Sequence, residues 1–268
     1  MRLLFLGTCT FGDASSSIVR NPFTSIAECF SIGDIIFLNM NGIISHRKSR
    51  GKFISDGSQL LSLKKIVPQI PIIVTFKNDK LTLCDEGVKD TGRFLTKHGF
   101  IFSTESLKPI IYGNLCIFDF TSMDLMENPD VIKYTIPLHI TDKLDTLLLE
   151  IIKSYVRPMR KIVIIIKTDT GIVAKKLLFH CISERMIEYG ADVVFGYGNH
   201  NLNTVNNYKK YKNGLIITSL GDLVNCNLEG GKRYGSTTEL CRYNTISKDV
   251  DAVTINRVIV EDCLLPSI

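Results

Sequence analysis

No two of the eight cysteines in this 268-residue chain stand in C-x-x-C spacing. That argues against a zinc ribbon, and the positions inside apolar runs point to reduced, mostly buried thiols. The five histidines, His46, His98, His139, His180 and His200, are scattered. There is no G-x-x-x-x-G-K-[ST] loop to cradle phosphates and no G-x-S-x-G elbow to present a nucleophilic serine. No apolar run approaches the roughly 18 to 20 residues that span a bilayer. The opening MRLLFLGTCTFGD has too short an apolar stretch for a signal peptide. The expectation is therefore an intracellular protein, cytoplasmic or otherwise, with no membrane span.

Charge is sparse as well. Hydrophobic residues make up 45% and charged residues 22%, with a formal net charge of +5. This composition fits an ordinary globular domain. The densest basic stretch, SHRKSRGKF at 45–53, lacks interleaved aromatics and reads as a solvated loop. Nucleic acid is not an expected partner. An unidentified ligand and self-association are the partner classes left open.

What the chain does have is alternation. Apolar, β-branched runs read as strands at 2–6, 34–38, 71–76, 110–112, 115–119, 161–166, 192–195 and 214–219. Helical spacing lies between them at 85–99, 141–156 and 174–190, with Thr141 a candidate N-cap and Gly190 a candidate left-handed cap. Strand following helix in this way predicts a largely parallel sheet covered by helices. The stretch AVTINRVIVED at 252–262 predicts antiparallel edge strands. No linker, repeat or low-complexity segment interrupts residues 1–268, so a single domain is expected.

In open α/β sheets ligands gather beyond the carboxyl ends of strands. Those ends here read Gly7-Thr8, Asn39-Met40-Asn41-Gly42, Lys77-Asn78-Asp79, Lys167-Thr168-Asp169-Thr170-Gly171, Gly196-Tyr197-Gly198-Asn199-His200 and Ser219-Leu220-Gly221-Asp222. Every one is small or polar. Cys9 follows the first strand beside this cluster and reads as a buried, inert thiol, because no histidine can be assigned to activate it.

The order of these strand ends resembles the CapA/PgsA-type proteins of capsule (poly-gamma-glutamate) synthesis. LLFLGTCTFGD, IIFLNMNGIIS, KIVIIIKTDTG, MIEYGADVVFGYGNHNLNTV and GLIITSLGDLVN stand in the family's order over nearly the whole chain. The resemblance implies an α/β metallophosphatase-like layered sandwich, two mixed sheets flanked by helices. It also implies a metal site, and here the chain departs from the pattern. The family's Gly-Asp acid is Thr8, and the Glu of its N-x-E is Asn41, with Asn39 and Gly42 kept. Its N-N-H is Lys77-Asn78-Asp79, and its H-W-G is Asp169-Thr170-Gly171. Its G-H-H-P-H is Gly196-Tyr197-Gly198-Asn199-His200, and the Asn of its SLGN is Asp222.

A two-metal hydrolytic centre needs several carboxylates and imidazoles converging on ions about 3.5–4 Å apart. Neutral oxygens at Thr8 and Asn41, with a cation at Lys77, do not neutralise two divalent ions. Catalytic roles, if any survive, fall to His200, Asp169 and Asn78. A weak or vestigial metal site would use Asn39, Asp79 and His200, with Asn199 alongside. The expectation is a non-catalytic CapA-like pseudo-enzyme that binds, builds or self-assembles and holds no cofactor. The alternative is a divergent metal-dependent phosphoesterase-like or capsule-polymer enzyme holding a single divalent cation, Mn or Mg.

Overall fold

The computed structural model describes residues 1–12, 21–31, 33–45, 54–76, 85–103, 108–120, 150–167, 173–197, 207–226, 237–260 and 263–267. The strands in chain order are β1 (Arg2–Thr10), β2 (Ile35–Met40), β3 (Ile43–Ile44), β4 (Ile54–Ser55), β5 (Ile72–Thr75), β6 (Ile110–Tyr112), β7 (Leu115–Asp119) and β8 (Lys161–Lys167). They continue with β9 (Val193–Tyr197), β10 (Tyr208–Tyr211), β11 (Gly214–Ile217), β12 (Asp222–Asn225), β13 (Thr237–Asn244), β14 (Val250–Val260) and β15 (Cys263–Ser267). Helices α1 (Ala27–Phe30), α2 (Ser58–Ile66), α3 (Asp85–Lys97) and α4 (Val173–Glu188) lie between them, with a further helical turn at 150–155. The class is mixed α/β. No described helix is long and apolar enough to cross a membrane.

The chain gathers into two compact units. The first comprises Met1–Thr104, Asn199–Thr204 and Leu220–Ile268, and the second Glu105–Gly198 and Val205–Ser219. The second unit follows the sequence pattern closely. Its six strands run in the order β10-β11-β9-β8-β7-β6, parallel in the middle and antiparallel at both edges. Strands buried on both faces of a parallel sheet need apolar residues at every position. The runs LCIFD and VVFGY and the segment Ile162–Ile166 accordingly are buried throughout. Helix α4 packs Phe179, Met186 and Ile187 against them, and Gly190 closes it with φ +110°.

The first unit is built differently. Its seven strands run β12-β15-β14-β13-β1-β2-β5, and β12 also pairs with β1. Five strands therefore close into a ring. Strand β1 pairs antiparallel with β13 over Arg2–Phe5, then parallel with β12 from Thr8 onward. The change of neighbour coincides with a bulge: Phe5 lies opposite Phe37 but Thr8 opposite Asn39, three residues against two. The extra residue turns the strand. Gly7 sits at the turn, where an added Cβ would lie 2.5 Å from the Gly221 carbonyl oxygen and 2.9 Å from Thr238 Oγ1. Only glycine admits so close an approach. The core of this unit includes Leu4, Leu6, Leu38, Val74, Leu63, Leu223, Leu240 and Ile255.

Strand candidates from the sequence correspond to β1, β2, β5, β6, β7, β8, β9 and β11, and the helix expected at 85–99 is α3. The antiparallel pairing expected at 252–262 is the β13–β14–β15 meander. The expected N-cap Thr141 and the first part of that helix lie outside the described residues. The run at 214–219 ends as a strand at Ile217, and Asp222 opens β12 rather than closing β11. The reason is pairing: the Leu220 carbonyl accepts from Thr238 Oγ1 at 2.6 Å and from Glu239 N at 3.1 Å, and that of Gly221 from Thr8 N at 2.8 Å. The backbone is drawn onto β1 and β13 in place of β11.

Candidate functional site

Four of the residues singled out from sequence lie in described parts of the first unit: Thr8, Asn39, Asn41 and Asp222. Register alone brings three of them into one row. Asp222 on β12 is opposite Thr8 on β1, Thr8 is opposite Asn39 on β2, and Asn39 is opposite Thr75 on β5. Asp222, Thr8, Asn39 and Thr75 are all buried, at 0–3% exposure. Buried polar groups must find partners. Here they find one another: Thr75 Oγ1 donates to Asn39 Oδ1 at 3.1 Å, and Asn39 Nδ2 donates to Thr8 Oγ1 at 3.3 Å. Each such bond contributes about 0.5–1.5 kcal/mol net. One step further along the strands Asn41 Nδ2 donates to Thr10 Oγ1 at 3.3 Å, and Asn41 N donates to the Cys9 carbonyl at 2.8 Å.

Asp222 is held separately. Asn225 Nδ2 donates to its Oδ2 at 2.7 Å. Arg257 on β14, 6% exposed, donates from Nη1 to its backbone carbonyl at 2.5 Å. Burial lowers the Arg257 guanidinium from its ordinary value, while the charge of Asp222 pulls it back up. A guanidinium stays protonated through such a shift. A permanent cation therefore stands next to the one carboxylate in the row. Electrostatically that cation offsets the Asp222 charge that an incoming metal ion would otherwise use.

Cys9 follows in β1. It is fully buried, with its Sγ 3.8 Å from the Gly7 carbonyl oxygen. Burial, and then the charge of Asp222, push its thiol well above the ordinary value. A thiol held protonated in this way is a poor nucleophile, in agreement with the inert thiol expected from sequence.

The remaining sequence candidates, Lys77, Asn78, Asp79, Asp169, Asn199 and His200, lie outside the described residues. Among the described residues no group of three or more His, Cys, Asp or Glu side chains is arranged to hold a metal ion. Thr75, Thr10, Asn225, Thr238 and Arg257 were not found from the sequence. Arg257 carried a usable signal, because it stands two residues after buried Ile255 on the inward phase of an alternating strand. In the second unit Asp119, 1% exposed, closes the apolar run of β7 and was read only as the end of a strand.

No protein-family model matches the chain, and no curated protein matches it. Among solved structures, one described as a novel phosphatase from Mycoplasma pneumoniae is similar over 100% of this chain and 94% of its own, with a TM-score of 0.53 and 12% identity. At that identity the likeness concerns architecture. The chain has a phosphatase-like α/β fold.

Proposed function

We propose that this protein is a non-catalytic relative of the phosphatase-like fold, a CapA-type pseudo-enzyme of metallophosphatase architecture that serves as a binding, structural or self-assembling component. The observation that carries the reading is the neutral Thr8–Asn39–Thr75 chain of hydrogen bonds. At strand ends where a hydrolase gathers carboxylates and imidazoles, these side chains spend their polar atoms on one another. Arg257 beside Asp222 adds to the argument, since it supplies a fixed positive charge with no metal required. An ion bound here would have to displace neutral amide and hydroxyl pairs and would gain little charge compensation in return. Such an ion would have little power to lower the pKa of a bound water.

His200, Asp169, Asn78 and Asp79 then act as strand-end polar residues and not as a catalytic set. The competing reading gives them one Mn or Mg ion and a phosphoesterase-like or capsule-polymer reaction. Turnover decides between the two. Assays on generic phosphodiesters with added Mn²⁺ should give rates no higher than protein-free controls. Turnover that His200→Ala abolishes would establish the enzyme in place of the pseudo-enzyme.

A further inference from the structure

The ring of the first unit closes through its weakest seam. Strands β12 and β15 share a single paired position, Asn225 opposite Leu264. In an antiparallel pair one step forward on one strand is one step back on the other, so the register continued one step past the end of β12 sets Cys226, the bend residue that follows it, against Cys263. The two thiols are in hydrogen-bonding contact. Neither cysteine is in a disulfide; Cys263 is buried and Cys226 partly exposed. We infer that Cys226 and Cys263 form a redox-sensitive pair that closes reversibly to a disulfide across this seam.

The register continued one step puts the two residues at a spacing that a disulfide accepts. Opposed residues in antiparallel strands have Cα atoms about 4.5 or 5.5 Å apart. Disulfides accept about 4.4–6.8 Å. The Cys226 backbone is fixed from the other side as well, because its N–H donates to the Thr10 carbonyl at 2.8 Å. Gly12 packs directly against it, where an added Cβ would lie 3.0 Å from Cys226 Cβ.

The surroundings give the two thiols different roles. Gln59 Nε2 donates to Cys226 Sγ at 3.2 Å, and Gln59 is itself held by Gly12 N, which donates to its Oε1 at 3.0 Å. The Cys263 thiol lowers the Cys226 thiol from its ordinary value; burial opposes this, and the Gln59 amide and the Gly12 N–H add to the lowering. Cys226, partly exposed and with its thiolate favoured, is the attacking sulfur, and buried Cys263 is the resolving one. Cys9 is the nearby competitor, but its thiol is shifted the other way.

The oxidant is a hydroperoxide. The Cys226 thiolate attacks the distal peroxide oxygen, the O–O bond breaks, and water or an alcohol leaves after taking up a proton. The resulting sulfenic acid is attacked by Cys263 sulfur; the S–S bond forms, the S–O bond breaks, and the departing oxygen takes the Cys263 proton to leave as water. The two thiols lose two electrons and the peroxide gains them. The bond joins β12 to β15 one residue beyond Asn225, the partner of Asp222. This inference stands whether or not the fold is catalytically silent.

The test uses the full chain, reduced and then exposed to graded hydrogen peroxide. Free thiols are alkylated without reductant and the peptides mapped by mass spectrometry. A Cys226–Cys263 linked peptide should accumulate at least about tenfold faster than exposed Cys181 is oxidised. Dithiothreitol should reverse it, and Gln59→Leu should slow it with both cysteines intact. Two results would overturn the inference: both thiols still alkylated once Cys181 is oxidised, or Cys226 linked to Cys9.

Discussion

The two units solve the same problem, closing a sheet of buried strands, with different chemistry. The second uses continuous apolar runs, such as Ile162–Ile166, with polar residues at strand ends, such as Asp119 of β7, and on the edge strand YKKY of β10. The first runs a polar row, Asp222–Thr8–Asn39–Thr75, through four neighbouring strands. An apolar sheet can tolerate small shifts of packing. A polar row cannot, because each buried group depends on a particular neighbour. The first unit is therefore the more exacting of the two.

Each unit contains a glycine whose added Cβ would press closely on a neighbouring carbonyl, Gly7 in the first and Gly196 in the second, and substitution there gives the largest contrast. Gly7→Ala drives a Cβ to 2.5 Å from the Gly221 carbonyl oxygen, a backbone atom at the point where β1 changes partners. A loss of about 3 kcal/mol is expected in urea denaturation. Gly196→Ala meets the Thr218 carbonyl oxygen at 2.7 Å and the Phe179 ring at 2.8 Å, and the ring can yield. About 2 kcal/mol is expected. Equal, negligible effects would mean that neither approach is as close as described.

Next in size is the row itself. Asn39→Ala leaves the Thr8 and Thr75 hydroxyls without the amide that joins them. The expected cost is about 2–3 kcal/mol in the same denaturation experiment. The apolar counterpart in the second unit is Ile164→Val, fully buried on β8. That change should cost only about 1 kcal/mol. If the order of these two variants were reversed, the polar row would not be the more demanding element.

The smallest effect is at the surface of the first unit. Asp34 accepts from Arg2 N at 2.8 Å and from Arg2 Nη2 at 2.8 Å. Partial burial pushes its carboxyl up, but the side chain and backbone of Arg2 outweigh this and hold it below its ordinary 3.8. A depressed carboxylate contributes stability above its unfolded value and loses it as pH falls through the folded one. Asp34→Asn should therefore cost a few tenths of a kcal/mol at neutral pH, the scale of an exposed ion pair. The difference from wild type should shrink as pH drops below 3.8 and vanish once the folded carboxyl, held lower still, is protonated. A difference that persisted into stronger acid would point to packing rather than charge.

The same contrast explains what could be read from sequence. The parallel strands of the second unit announce themselves, since burial on both faces demands unbroken apolar runs such as KIVIIIK. Strands β12, β13 and β15 did not. DLVN is four residues long, TTELCRYN mixes polar and apolar positions, and CLLPS contains a proline. They are strands because β1 and β14 offer them partners far away in sequence, and that information is not local. The polar row was half legible for the same reason. Thr8, Asn39 and Asp222 stood out as strand ends, but Thr75 becomes meaningful only through register. The bulge at Gly7, which places Thr8 rather than its neighbour opposite Asn39, is invisible without the pairing.

The central claim is that hydrogen bonds between neutral side chains, not a metal ion, complete these strand ends. Elemental analysis of the full chain purified without chelator tests it most directly. The account predicts manganese, magnesium, iron and zinc far below one equivalent per chain. Near-stoichiometric metal, lost in His200→Ala, would contradict it.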